Sequence, residues 1–253
     1  MDLTNKIALI TGGSRGLGKN SALHLAKNGA DVIVTYLSKK EEADKTVAEI
    51  EALGRKAAAL QLNTGDVKQF DAFATSLKEL LQNKWGRENF DFLVNNAGVG
   101  RHATVAQTTE EDFDLLFNIH FKGVFFLTQK LLPVIADGGR VINFSTGLAR
   151  FTTLGYAAYA SMKGAVETFT KYLAKEVGPR GINVNIVAPG IIKTDFTKAA
   201  FSNVGLEEAM AAQTALGRVG VPDDIGGVVA FLCSEDARWI NAQRIEASGG
   251  MFL

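Results

Sequence analysis

Ile7-Ala-Leu-Ile-Thr11-Gly12-Gly13-Ser14-Arg15-Gly16-Leu17-Gly18 reads as a short apolar strand that turns on glycines directly into a helix. The first N–H groups of such a helix have no acceptor within it, and the helix dipole adds partial positive charge at the same end. An anion such as the pyrophosphate of a dinucleotide is held there, and glycines let it approach the backbone. The spacing Gly12, Gly16, Gly18 departs from the general G-x-G-x-x-G fingerprint. Taken alone, the turn is weak evidence, because a tight glycine turn that binds nothing can carry the same text, so the rest of the chain has to decide.

Outward from this turn, short runs rich in β-branched residues alternate with longer stretches of helical period, the pattern of repeated βαβ units. Strands are expected at Lys6–Thr11, Asp31–Tyr36, Ala57–Leu62, Phe92–Asn95, Arg140–Ser145, Asn183–Ala188 and Arg244–Ala247. Helices are expected near 16–28, 40–53, 66–82, 110–136, 156–177 and 222–233, with Gly29, Gly54 and Gly178 as C-terminal caps. Strand text such as IALI, VIV and VINF is apolar on both faces, so helices must cover both. The expectation is an α/β fold: one Rossmann-type, doubly wound parallel sheet of seven strands, forming a single domain over residues 1–253. The segment about 190–220 is the one irregular stretch and is read as a lid.

The 253 residues, 47% hydrophobic, suffice for one large core, and 27 basic against 27 acidic residues leave no net field to draw nucleic acid or an anionic membrane. Small molecules and copies of the chain itself are the expected partners. One cysteine, Cys233, excludes an internal disulfide, and His24, His102 and His120 lie too far apart for a ligand spacing, so no metal site is expected. No long apolar span appears, and a cytoplasmic protein is expected.

The choice of nucleotide turns on the end of the second strand, where an acidic residue would bind a ribose 2′-hydroxyl and repel a 2′-phosphate. Here the text is Thr35-Tyr36-Leu37-Ser38-Lys39-Lys40, with no acid, and Asp31 stands at the wrong end. Arg15 together with Ser38, Lys39 or Lys40 offers hydrogen bonds to a 2′-phosphate, which favours NADP(H) over NAD(H).

Tyr156-Ala-Ala-Tyr159-Ala-Ser-Met-Lys163 opens a helix, and residues four apart share a face, so Tyr159 and Lys163 can act together. A free tyrosine, with a pKa near 10, is rarely ionised at neutral pH, and a fixed ammonium is expected to lower it. The glycine turn is followed by Asn95-Asn96-Ala97-Gly98 after the fourth strand, Ser145-Thr146 ending the fifth, the Tyr159/Lys163 pair, and Pro189-Gly190 after the sixth. In this order and spacing the chain resembles the classical short-chain dehydrogenases/reductases over essentially its full length. The overall text is similar to 3-oxoacyl-(acyl-carrier-protein) reductases.

The resemblance implies roles for individual residues. Tyr159 would be the general acid for carbonyl reduction, and Lys163 would bind the nicotinamide ribose and lower the tyrosine pKa. Asn118, in Asn118-Ile-His-Phe-Lys-Gly123, would hold a water linking the lysine to solvent. Gly12, Ser14, Arg15, Gly16, Leu17 and Gly18 would cradle the phosphates. Asn63 would sit beside the adenine, Asn95, Ala97 and Gly98 beside its ribose, and Pro189, Gly190, Ile192 and Thr194 beside the nicotinamide. The family's substrate-polarising serine falls on Thr146, with Ser145 one position earlier; threonine keeps the hydroxyl, and Thr146 is preferred. Asn63 stands where aspartate is usual, and its carboxamide can still meet the adenine amino group.

Three readings compete. Hydride transfer between NADP(H) and a carbonyl or secondary alcohol is the main one, 3-oxoacyl-thioester reduction being a specific form of it. Carrier docking would use Arg180, but Asp137 close by would repel an acidic carrier. Enoyl reduction is the rival, because Tyr156 stands seven residues before Lys163, the spacing of related enoyl reductases. A non-catalytic nucleotide-binding sensor is the reading from another class, and it is disfavoured because both Tyr159 and Lys163 are present. Arg101, His102 and Phe151 are expected near the substrate. The resemblance also implies a homodimer or homotetramer packed through the helices near 110–136 and 156–177.

Overall fold

Ile7–Ile10 forms β1, and its four side chains alternate between two cores. Ala8 and Ile10 join one apolar cluster, while Ile7 and Leu9 join the other. The same division runs across the whole sheet, in a computed structural model that describes residues 1–253. The remaining strands are β2 (Asp31–Tyr36), β3 (Ala57–Gln61), β4 (Phe90–Asn95), β5 (Ile135–Phe144), β6 (Asn183–Pro189) and β7 (Arg244–Ala247). All pairings are parallel, in the order β3-β2-β1-β4-β5-β6-β7.

Helices α1 (Gly16–Lys27), α2 (Lys40–Ala52) and α8 (Asp223–Cys233) cover the first face. Helices α3 (Phe70–Trp85), α5 (Gly123–Leu131) and α6 (Ala157–Val177) cover the second. The strand order reverses between β1 and β4, and in an open parallel sheet the crevice at the carboxyl ends beside such a reversal is where ligands bind. The expected seven-stranded doubly wound sheet is therefore observed.

The expected helix 110–136 is a composite. Helix α4 (Glu110–Phe117) gives way to a π-helical turn at Asn118–Lys122, continues as α5, and ends in a short 3₁₀ turn, after which β5 begins at Ile135. Gly178 is not the left-handed cap expected of it. It is right-handed, at φ −52°, and the reversal falls on Gly181, at φ +67°, once Pro179 and Arg180 have completed a 3₁₀ turn. Gly29 and Gly54 do adopt positive φ. The segment 190–220 is not structureless, because it contains α7 (Leu206–Ala212) and is pinned by bridges Ile192–Gly220 and Thr214–Met251.

A buried polar chain ties α6 to the sheet. Asn95 Nδ2 donates to Thr128 Oγ1 (3.0 Å) and Asn143 Oδ1 (2.8 Å), and Asn143 Nδ2 donates to Thr170 Oγ1 (2.9 Å). Asn143 has no exposed surface, so Asn143→Ala removes one buried hydrogen bond from each of two partners and leaves a cavity in the amide chain. The expected loss is roughly 2–4 kcal/mol, read from urea denaturation midpoints at unchanged m-value.

Candidate active site

The glycine turn is held by its neighbours on both sides. Gly12 N–H donates to Thr35 Oγ1 (3.2 Å) and Gly13 N–H to the Thr35 carbonyl (3.0 Å), fixing the turn to β2. From the β4 side, Asn96 Nδ2 donates to the carbonyls of Thr11 (2.9 Å) and Gly12 (3.3 Å). Gly12 and Gly16 are left-handed, at φ +65° and +55°. A Cβ on Gly18 would lie 2.3 Å from the Gly12 carbonyl oxygen, so the turn tolerates no side chain there. Helix α1 has no side-chain cap and no acid in its first turn, whereas α2, α4 and α8 all begin with acids. Its N–H groups are thus left to an anion, and a pyrophosphate fits this cradle.

Asn95 does not face this cradle. Its side chain is buried in the amide chain described above, and the residue that reaches the turn is Asn96, which the sequence reading passed over. Strand alternation decides between the two neighbours. Ala97 N–H donates to Thr11 Oγ1 (3.0 Å), and a Cβ on Gly98 would lie 2.7 Å from the His120 ring. Asn63 Oδ1 accepts the Gly65 N–H (3.0 Å), which closes a turn beyond β3. Leu17 packs half-buried against the first core, and Ser14 accepts from Thr46 Oγ1 through its carbonyl.

The segment after β6 approaches the turn from the other side. Pro189 pairs with Ala247, and a Cβ on Gly190 would lie 2.9 Å from Ser248. Ile192 is buried, Thr194 N–H donates to Thr197 Oγ1 (3.0 Å), and Asp195 meets Arg15 at 3.5 Å in an exposed pair. Ser38 and Lys39 are exposed, and Lys40 is paired with Asp44 at 2.7 Å.

At the end of β5 the two hydroxyls part company. Ser145 Oγ donates to Glu167 Oε1 (2.6 Å), and Glu167 in turn pairs with Arg244 at 2.7 Å. Thr146 instead acts on Tyr159: its hydroxyl, which accepts the Leu148 N–H (3.3 Å), favours the ionised phenol. Arg244 Nη2 also donates to the Thr146 carbonyl (2.9 Å), anchoring the residue to β7.

Lys163 is buried, its Nζ donating to the Phe144 carbonyl (2.7 Å) and lying 5.8 Å from the centre of the Tyr159 ring. Burial pushes its pKa down to about 8. The phenol does not follow the expected direction. Burial raises the Tyr159 pKa, the Thr146 hydroxyl opposes this, and Lys163 is not among the causes. An ammonium one helical turn away is near in sequence, but this one is held by a backbone carbonyl rather than by the phenol.

Asn118 opens the π-helical turn, and its carbonyl accepts the Gly123 N–H. The side chain that this turn delivers to the reacting pair is His120, two residues on. Its ring meets Tyr159 edge-on at 5.0 Å, and the charge of Lys163 acts on it. The sequence reading missed His120. The available signal was a titratable residue inside an otherwise apolar and aromatic stretch, Phe117 to Phe126, broken only by Asn118 and Lys122.

Phe196 lies over the other side of Tyr159 at 6.3 Å, and Tyr156 turns edge-on to His102 at 5.1 Å. Phe151 packs against Phe252 with ring centres 4.6 Å apart and the planes tilted by 57°, Leu154 is 87% exposed, and Arg101 is paired with Asp112 at 2.8 Å. No group of three or more His, Cys, Asp or Glu side chains could hold a metal ion. No helix is long and apolar enough to cross a membrane.

Sheet order, glycine cradle and the Thr146–Tyr159–Lys163 cluster together define a nucleotide-dependent oxidoreductase of the Rossmann type. A family model described as "Enoyl-(Acyl carrier protein) reductase" matches residues 12–252. The chain is 39% identical over 250 residues to the 3-oxoacyl-(acyl-carrier-protein) reductase FabG of Staphylococcus aureus, covering 98% of each chain. It is similar to the structure of LugOII, a promiscuous reductase that catalyses keto-reduction at C1 in lugdunomycin biosynthesis, with TM-score 0.94, 39% identity and full coverage of both chains. The angucycline C-6 ketoreductase LanV with bound NADP matches with TM-score 0.94 and 38% identity, over 99% of this chain and 97% of that one. The chain belongs to the classical short-chain dehydrogenase/reductase family.

Proposed function

We propose that the protein is an NADP(H)-dependent carbonyl reductase whose substrate is a ketone carried on a bulky, apolar skeleton. The observation that carries the reading is the convergence on Tyr159 of the Thr146 hydroxyl and, one helical turn along α6, a buried lysine 5.8 Å from the centre of its ring. A carbonyl oxygen placed between the two hydroxyls is polarised by Thr146 and receives its proton from Tyr159. When bound, the reduced nicotinamide supplies the hydride to the carbonyl carbon. Burial keeps Tyr159 protonated, which suits an acid. Lys163 holds positive charge beside the phenolate left behind.

Exposed Leu154 and the ring of Phe196 support an apolar substrate, as do the polycyclic ketoreductases among the similar structures. Carrier docking at Arg180 is not favoured, because its guanidinium is neutralised by Asp137 at 2.7 Å. Tyr156, engaged with His102, offers enoyl chemistry no comparable partner. The test is NADPH consumption with 1-tetralone, an acetoacetyl thioester and 2-cyclohexenone in parallel. Turnover of the thioester alone would overturn the substrate class.

Exposed Ser38 and Lys39, with Arg15 held only by a weak exposed pair, support NADP(H) over NAD(H). Charge-assisted hydrogen bonds contribute about 1.5–3 kcal/mol. Arg15→Ala with Lys39→Ala should therefore weaken NADPH binding about 10–100-fold in fluorescence titration and leave NADH within about three-fold. Outward-facing Phe113, Phe126 and Tyr172, on α4, α5 and α6, support self-association through those helices, which light scattering tests.

A further inference from the structure

Ile245 and Ala247 of β7 pack against the first core, so strand alternation turns Arg244 and Glu246 to the other face, where α6 lies. There they join Glu167 of α6 and Arg150 in a partly buried cluster of two guanidiniums and two carboxylates, neutral as a whole. Arg244 Nε donates to Glu167 Oε1 (2.7 Å), its Nη1 to Glu246 Oε2 (2.7 Å) and its Nη2 to the Thr146 carbonyl (2.9 Å). Arg150 grips Glu246 from the other side through Nε (2.8 Å) and Nη2 (2.7 Å), and Ser248 Oγ donates to the same carboxylate (2.9 Å). Ion pairs taken out of water add little stability over apolar side chains of similar size, so a cluster of four points to placement rather than to folding energy. What it places is Thr146. Apart from Arg244, the Thr146 carbonyl accepts only the Ala149 N–H, at 3.3 Å, and the Thr146 hydroxyl accepts the Leu148 N–H at 3.3 Å, so its one O–H remains free to donate.

We propose that Arg244, set in place by Glu167 and Glu246, is a positioning residue for carbonyl reduction: it holds the Thr146 main chain at the end of β5 so that the threonine hydroxyl, and not that of Ser145, meets the substrate oxygen. The inference rests on the carbonyl-reduction reading. Glu167 serves it twice, because the oxygen that orients Arg244 also accepts the Ser145 hydroxyl (2.6 Å) and withdraws it from the site. Arg244 exchanges no proton and acts only through the threonine. The arrangement persists at neutral pH, since Arg150, helped by Arg244 and Ser248 against the effect of burial, holds the Glu246 carboxyl down at about 2. Precision of this kind matters, because a misplacement of about 1 Å at a reacting centre can cost about 10²-fold in rate.

The test is a double-mutant cycle on 1-tetralone with NADPH. Arg244→Met keeps the stem and removes the donors, and it should lower kcat about 10–100-fold with KM and NADPH Kd within about three-fold of wild type. In a Thr146→Ala background the same substitution should cost no more than about two-fold, because the hydroxyl it serves is already gone. Losses that multiply in the double variant, or full kcat in Arg244→Met, would overturn the proposal. Glu167→Gln, which keeps an acceptor for both Ser145 and Arg244, should retain most of the activity that Glu167→Leu loses; equal losses in the two would count against it. A second arm needs no turnover. In protein with labelled threonine methyls, the Thr146 resonance is assigned by its absence in Thr146→Ala, and its three-bond couplings report χ1. The expected result is one rotamer in wild type and averaging in Arg244→Met, whereas one unaveraged rotamer in both would overturn the placement. Should Arg244→Met not fold, Arg244→Lys, which keeps the charge but not the three-way fork, is read in its place. Failure of wild type on every ketone would instead reject carbonyl reduction, and the couplings would still decide whether Arg244 fixes Thr146.

Discussion

Tyr159→Phe should lower kcat/KM for ketone reduction by about 10³–10⁴-fold while leaving NADPH affinity within a few-fold. The phenol is the acidic O–H on which the Thr146 hydroxyl acts, and phenylalanine keeps the ring contacts with His120 and Phe196 while removing that proton. The loss should therefore fall on kcat rather than on folding, and thermal melting of the variant should match wild type. The pH profile follows from the two shifts. Burial raises the Tyr159 pKa, so the acid is present across the neutral range. Burial lowers Lys163 to about 8, so the ammonium disappears as pH rises through that value. Reduction should hold level on the acid side and decline above about pH 8, and a profile that rises there would contradict the assignment.

The second large effect separates two adjacent hydroxyls. Thr146→Ala should cost about 10²–10³-fold in kcat, the loss typical of removing one donor to a developing oxyanion. Ser145→Ala should cost less than about ten-fold, because its hydroxyl is spent on Glu167 at 2.6 Å, away from the phenol. Thr146→Ser, which keeps the hydroxyl, should recover most of the activity. Equal losses at Ser145 and Thr146 would mean that the Glu167–Arg244 pair, rather than the hydroxyl, sets the rate.

Much of this is legible in the amino-acid sequence. A sheet buried on both faces leaves an unmistakable text, because strands such as Val32–Val34 and Leu93–Val94 must be apolar on every side chain. The glycine turn was equally plain, since close approach to the backbone admits no other residue at Gly18. What escaped lies where a local choice depends on the opposite wall. Asn95 and Asn96 are the same residue type one position apart, and only strand alternation sends one into the core and the other to the cradle. The run Asn118 to Phe126 looks like an unbroken helix, yet a π-helical turn re-aims it so that His120 meets Tyr159. Spacing placed Lys163 beside Tyr159, but it showed neither the Phe144 carbonyl that holds the ammonium nor the burial that raises the phenol's pKa, and so the sign of that shift was misjudged.

The central claim is that Thr146 and Tyr159 act on a carbonyl oxygen and not on a conjugated alkene. The direct measurement supplies one substrate that offers both, 2-cyclohexenone, with NADPH, and identifies the product by chromatography. The account predicts the allylic alcohol, formed by wild type and lost in Tyr159→Phe. The saturated ketone as the product, with full activity retained in Tyr159→Phe, would contradict it.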